Sequence, residues 1–274
     1  MIGTTLVCGC VPVFPPKPAP LFTMPLTVEG EPVGSVIVDT GGAYELMLRD
    51  GFGLTITGSI EVLAFGGKEL VDITEGFDYS VGGVDTTAET ALVGLSVCDC
   101  NGLGFDFFRK TGVVLALDFA ALQASFLPAA PDDGVVIAFE QAPPALPGFD
   151  SAFVDVEVTL GDVSRHLLGL LDTGTNGTLM RRGLFDGARP LTPDRLDVII
   201  GRLDLGAVAV NVALFDTEGL PEIILGTDVM RAWGDRWYFS FESTGGTVTV
   251  IPAGGAHDAP DTADALLSAA LAVP

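Results

Sequence analysis

Positive charge is scarce in this chain: 13 Lys and Arg stand against 36 Asp and Glu in 274 residues, a net charge of −23 at pH 7. The deficit is uniform, because residues 1–137 hold 5 basic and 17 acidic groups (−12) and residues 138–274 hold 8 and 19 (−11). With no cluster of Lys and Arg to displace counterions or meet an anionic headgroup, nucleic acid and acidic membrane surfaces are excluded as partners. Histidine is limited to His166 and His257, neither in a pattern with Ser or Cys that suggests a nucleophilic triad. The four cysteines form two Cys-x-Cys pairs, Cys8/Cys10 and Cys98/Cys100. That spacing is not a zinc knuckle, so neither metal nor cofactor is expected. Cys98 and Cys100 read as one face of a buried strand, with a disulfide to Cys8 or Cys10 as the alternative. No run approaches the roughly 18 apolar residues of a transmembrane helix.

What is present points to strands. The chain holds 35 Gly and 18 Pro beside 48% hydrophobic residues. This is the composition of many turns and few long helices, hence of an all-β protein. Short apolar runs at 33–38, 60–65, 113–117, 154–160, 167–171, 205–215 and 247–251 read as strands between tight turns. Helical periodicity is weak, and only 118–125, 181–187 and 261–271 suit short helices. Residues 1–20 are expected to be a flexible leader, read either as an ordinary terminus or as a lipoprotein-type leader lipidated at Cys10, which would place the protein at an exported surface. The proline-rich stretch 129–150 reads as a connector, and 253–274 as a flexible tail.

A repeat organises the remainder. Gly34-Ser-Val-Ile-Val-Asp39-Thr40-Gly41 matches Leu168-Gly-Leu-Leu-Asp172-Thr173-Gly174: in each, an apolar strand runs into Asp-Thr-Gly. Asn101-Gly-Leu-Gly104-Phe-Asp106-Phe-Phe108 is echoed by Ile223-Ile-Leu-Gly226-Thr-Asp228-Val-Met230, and Val81-Gly-Gly83-Val84 by Leu205-Gly206-Ala-Val208. The first copy is about ten residues longer between its Asp and the Val-Gly-Gly turn, enough for one extra hairpin, with Phe65-Gly66-Gly67-Lys68 at its tip. Independent placement predicts roughly a quarter of one Asp-Thr-Gly in such a chain. Two, each ending an apolar strand and each followed by a Leu-Gly element, are not an accident.

On these residues the chain resembles the aspartic peptidase family, in the form where two related lobes each donate one Asp-Thr-Gly to a shared cleft. The resemblance spans about residues 21–252. It implies a bilobal all-β fold of two barrel-like lobes, at 21–128 with the flap and at 151–252, pepsin-like in order and closer to retropepsin subunits in size. It implies Asp39 and Asp172 as a catalytic pair holding one proton between them, and Thr40 and Thr173 exchanging hydrogen bonds across the lobes. Gly41 and Gly174 would let the backbone turn and bring N–H groups to the carboxylates. Thr175 offers a hydroxyl to the outer oxygen of Asp172 while Gly42 offers none to Asp39, so the site is expected to be asymmetric. Phe65, Gly66 and Gly67 form the flap over the substrate, Phe65 standing where the pepsin pattern has tyrosine. Asp106 and Asp228 read as helix-start caps. The expected function is hydrolysis of extended peptides at acidic pH, in keeping with a pI of about 4.1. Met47, Met180 and Phe65 would favour bulky apolar side chains at the scissile bond. A monomer is expected because one chain carries both halves of the site, and activity without removal of a long segment ahead of Leu21 is expected too. The competing expectation is a peptide-binding protein that kept the fold and lost turnover, for which Gly42 and Phe65 speak.

Overall fold

In a computed structural model, residues 5–6, 21–64, 67–95, 99–141, 150–185, 195–202, 204–242 and 245–252 are described. The protein is all-β, 57% strand and 7% helix. The first half runs β1 (Thr5–Leu6), β2 (Thr23–Val28), β3 (Glu31–Val38), β4 (Leu46–Leu48), β5 (Ile56–Ala64), β6 (Gly67–Thr74), β7 (Phe77–Val81), β8 (Val84–Ala88), β9 (Leu92–Val93), β10 (Asn101–Leu103), α1 (Phe105–Thr111), β11 (Val114–Asp118) and β12 (Gln123–Leu127). The second runs β13 (Val135–Glu140), β14 (Phe153–Leu160), β15 (Val163–Leu171), β16 (Leu179–Arg181), β17 (Arg195–Arg202), β18 (Gly206–Phe215), β19 (Ile223–Leu225), α2 (Thr227–Trp233), β20 (Arg236–Phe241) and β21 (Gly245–Ile251).

The sequence repeat is a structural repeat. In each half a long hairpin ends in Asp-Thr-Gly, and a three-residue strand from the Leu-Gly element slots beside it. β10 pairs parallel with β3 and antiparallel with β4, and β19 pairs parallel with β15 and antiparallel with β16. The second half closes as a six-stranded barrel in the order β14-β15-β19-β16-β18-β17 and back to β14. The first half follows the same path but stays a curled sheet, because the strand equivalent to β18 is split into β8 and β9. Thr74 lies at that split, its N–H donating to the carbonyl of Ala91 and its hydroxyl accepting the Ala91 N–H. The extra hairpin β5–β6 thereby docks on β9, with Asp72 opposite Val93. Its strands pair from Ile56–Thr74 to Ala64–Gly67, as the ten extra residues of the first copy require, while Phe65 and Gly66 lie outside the described residues.

Four expectations change. Residues 118–125 are no helix: Leu122 sits at φ 55° in the turn that folds β12 back on β11. The helices are instead α1 and α2, each starting directly after a Leu-Gly step, where seven residues are too few to show a period. The stretch 129–150 does more than connect, since β13 pairs along its length with β21 and carries the sheet from β21 to β14. Cys100 is not a free strand cysteine. It lies beside β10 rather than in it and is disulfide-bonded, the other three cysteines being outside the described residues.

Strands β11, β20, β21 and β13 form one antiparallel layer shared by both halves. Alternate residues turn inward, burying Leu115, Leu117, Trp237, Phe239, Val248 and Val250 in a core that also takes Phe105, Phe108 and Phe139. Truncating an aromatic group of this size costs about 3–5 kcal/mol, so this shared core fastens together the two halves that carry the Asp-Thr-Gly loops.

Candidate active site

Each Asp-Thr-Gly loop begins where its strand leaves the sheet. The N–H of Asp39 donates to the Leu103 carbonyl at 2.9 Å and that of Asp172 to the Leu225 carbonyl at 3.0 Å. The Leu-Gly strands therefore seat both aspartates identically. Asp39 is 0% and Asp172 1% exposed.

The two threonines lock the loops to each other. Thr40 N–H donates to Thr173 Oγ1 (3.0 Å) and Thr173 N–H to Thr40 Oγ1 (3.1 Å). The Thr40 hydroxyl donates to the Leu171 carbonyl and the Thr173 hydroxyl to the Val38 carbonyl, each at 2.7 Å. All four bonds cross between the halves, and all are buried. Ser151 adds a fifth, its hydroxyl donating to the Thr40 carbonyl.

Gly41 and Gly174 do two things. Their N–H groups donate to the inner oxygens, Gly41 to Asp39 Oδ1 (3.1 Å) and Gly174 to Asp172 Oδ1 (2.7 Å). Each also lies against the opposite carboxyl: a Cβ on Gly41 would meet Asp172 Cγ at 2.4 Å, and one on Gly174 would meet Asp39 Cγ at 2.6 Å. Only glycine admits this approach. The carboxyl groups lie within hydrogen-bonding reach of one another. Burial and then the neighbouring charge of Asp172 hold the Asp39 carboxyl well above the usual carboxylate range, while bonds from Tyr44 and the Gly41 N–H pull the other way.

The asymmetry between the loops differs from the expected one. Thr175 is buried next to the site, but its hydroxyl donates to the Gly177 carbonyl at 3.1 Å. On the other side, Tyr44 donates its phenol proton to Asp39 Oδ2 at 2.7 Å. Tyr44 was not legible as a site residue, although the two copies, aligned from Asp39 and Asp172 without a gap, carry the sign of it. Where the second loop has Thr175 and Gly177, the first has Gly42 and Tyr44, so hydroxyl and glycine exchange places.

Neither Asp106 nor Asp228 is the N-cap residue, since Gly104 and Gly226 hold those positions without side-chain bonds, but Asp228 Oδ1 accepts the Val229 N–H in the first turn of α2 at 2.8 Å. Asp228 also grips the second loop through the Thr178 N–H (3.0 Å) and hydroxyl (2.8 Å), and Asp106 pairs with Arg109 at 2.7 Å. Burial raises the pKa of both. Met47 packs with Tyr44, Val62 and Leu92, and Met180 lies in the main core, both 1% exposed. They are core residues rather than a substrate surface. Leu63, near the tip of the β5–β6 hairpin, crosses to the other half and packs with Leu220 and Ile224. Of the expected flap residues, Gly67 starts β6; Phe65 and Gly66 fall outside the described residues.

Among the described residues no group of three or more His, Cys, Asp or Glu side chains is placed to hold a metal ion. None of the helices there is long and apolar enough to cross a membrane. Compared with known proteins, the chain matches no protein-family model and no curated protein.

Proposed function

We propose that the chain is an aspartic-type endopeptidase of the two-lobed form, hydrolysing extended peptides between its halves. One observation carries the reading: two buried aspartates, from equivalent loops of a structural repeat, lie within hydrogen-bonding reach and are held by reciprocal threonine bonds. Two carboxyl groups this close retain one proton between them. The ionised member takes a proton from a water, whose oxygen bonds to the carbonyl carbon of the peptide, and the protonated member gives its proton to the carbonyl oxygen. Collapse of the resulting diol breaks the C–N bond, a proton passes to the leaving nitrogen, and the pair again holds one proton. No metal or cofactor enters this sequence.

The hairpin β5–β6 supports an extended substrate. The edge of β5 already takes one added segment, Thr5 and Leu6 lying parallel and opposite Val62 and Leu63. A substrate strand would bind such an edge through main-chain bonds. The competing reading, binding without turnover, rests on Gly42 and Phe65; the Tyr44 phenol supplies the bond that Gly42 lacks, and Phe65 lies outside the described residues.

The test is hydrolysis of an unstructured protein between pH 3 and 6 by the wild type, Asp39→Ala and Asp172→Ala. Cleavage by the wild type alone is expected. Undiminished cleavage by either variant rejects the shared pair, and no cleavage by the wild type at any pH favours a binding protein.

A further inference from the structure

We infer that Tyr44 is a positioning residue of the Asp39–Asp172 pair: its phenol, donated to the outer oxygen of Asp39, replaces the hydroxyl that residue 42 lacks, and Gly42 is glycine because the Tyr44 ring fills its place. This rests on the reading of the pair as catalytic. The geometry is direct. Tyr44 Oη lies 2.7 Å from Asp39 Oδ2, the side chain is 4% exposed, and a Cβ on Gly42 would meet Tyr44 Cε1 at 2.3 Å and Asp39 Oδ2 at 2.8 Å. The ring is boxed in elsewhere as well, since a Cβ on Gly102 would meet Tyr44 Oη at 2.3 Å and one on Gly104 would meet Tyr44 Cδ2 at 2.7 Å. Three glycines thus make room for one phenol.

A carboxylate has no proton to donate and a phenol has one, so the hydrogen in this bond belongs to Tyr44 whenever Asp39 is ionised. Bonds donated to a carboxylate favour its charged form. With the Gly41 N–H on Oδ1 and Tyr44 on Oδ2, both oxygens of Asp39 are engaged as acceptors, which offsets part of the rise that burial and the Asp172 charge impose on it. The groups facing this chain are few. Asp172 stands against Asp39. On its outer side Tyr44 borders a pocket of about 450 Å³ lined also by Glu45, Glu89, Asp106 and Lys110.

The test separates this donor role from packing and from the proposed activity. Asp carboxyl carbons are followed by NMR against pH in the full-length wild type, in Tyr44→Phe and in protein carrying fluorotyrosine at position 44, with Asp39→Asn used for assignment. Loss of a bond to a charged group is expected to move the apparent pKa of the Asp39 carboxyl up by roughly one to two pH units in Tyr44→Phe. The more acidic fluorophenol, a stronger donor of nearly the same shape, is expected to move it down. The pH profile of kcat/KM should shift in the same direction in both. Coincident titrations of wild type and Tyr44→Phe overturn the inference; if Tyr44→Phe does not fold, an unmoved titration with fluorotyrosine overturns it instead. A wild type without peptidase activity removes the catalytic reading, yet the NMR titration still decides whether Tyr44 sets the ionisation of Asp39.

Discussion

Replacing Gly41 or Gly174 by alanine isolates the approach of the two loops from every other feature of the site. Neither glycine adopts a positive φ, so an alanine meets no backbone penalty there and the whole effect comes from contact. At position 41 the new methyl would sit 2.4 Å from Asp172 Cγ and 2.7 Å from its Oδ2; at position 174 it would sit 2.6 Å from both Cγ and Oδ1 of Asp39. Carbon contacts are comfortable at about 3.5 Å, so each carboxyl must retreat by roughly 1 Å. The surrounding core cannot yield freely, and overpacking of this kind costs about 1–3 kcal/mol. In a chain of this size that lowers Tm by about 2–10 °C. A displacement of about 1 Å at reacting groups can cost on the order of 100-fold in rate, so kcat/KM should fall by that factor while the fold persists. Parted carboxyls also repel less, which should lower the apparent pKa of Asp39. The control is Gly51→Ala, where the methyl would touch only Ile56 Cδ1 at 3.9 Å. Thermal melts, peptide hydrolysis and a pH titration on the same preparations decide the matter. If either loop alanine matches Gly51→Ala in all three, the two loops do not meet as described.

Two other outcomes follow from the same geometry. Thr173→Ala removes the bond to Val38 and strands the buried Thr40 N–H, and Thr40→Ala does the mirror image to Leu171 and Thr173. Each should cost about 2–4 kcal/mol in urea denaturation and the two should agree within about 1 kcal/mol, so a neutral member would break the symmetry argument. Asp39→Asn addresses pH. A carboxyl raised in the folded state contributes its stability fully below the unfolded value, about 3.9, and loses it as pH rises through the folded value. The wild type should therefore gain stability on acidification from pH 7 towards 4, and Asp39→Asn should be more stable than wild type at pH 7 with a shallower slope. Some slope should remain, because Asp106 and Asp228 are raised as well, whereas Asp118, lowered chiefly by the Ala121 N–H, acts oppositely at lower pH. Parallel urea profiles for the two proteins would show that Asp39 is not held protonated by its surroundings.

How far the sequence discloses this arrangement depends on the range of the interaction. The Asp-Thr-Gly turns and the Leu-Gly strands are each written in consecutive residues and written twice, and the extra hairpin is the stretch that the first copy has and the second lacks, so comparing the copies exposes all three. The helices escape because α1 packs only Phe105, Phe107 and Phe108 inward over seven residues, a stretch too short for a period. The opposite error at 118–125 has a tertiary cause. Asp118-Phe-Ala-Ala-Leu-Gln-Ala-Ser suits a helix locally, but β11 has an open edge there and the chain turns at Leu122 to pair with it.

Tyr44 is the instructive case, since it lies five residues from Asp39 and no local pattern marks it. The position after Asp-Thr-Gly carries a hydroxyl at Thr175 in one loop and none at Gly42 in the other, which by itself reads as a defect. The structure reverses both readings: Thr175 bonds within its own loop, and Gly42 is empty because a larger side chain two residues on occupies the space. What the site requires is a donor at a point in space, not at a sequence position. When a repeat departs from its own pattern, the compensating residue belongs among those whose bulk has changed in the opposite sense, and here the exchange of Gly42 and Tyr44 for Thr175 and Gly177 meets that condition.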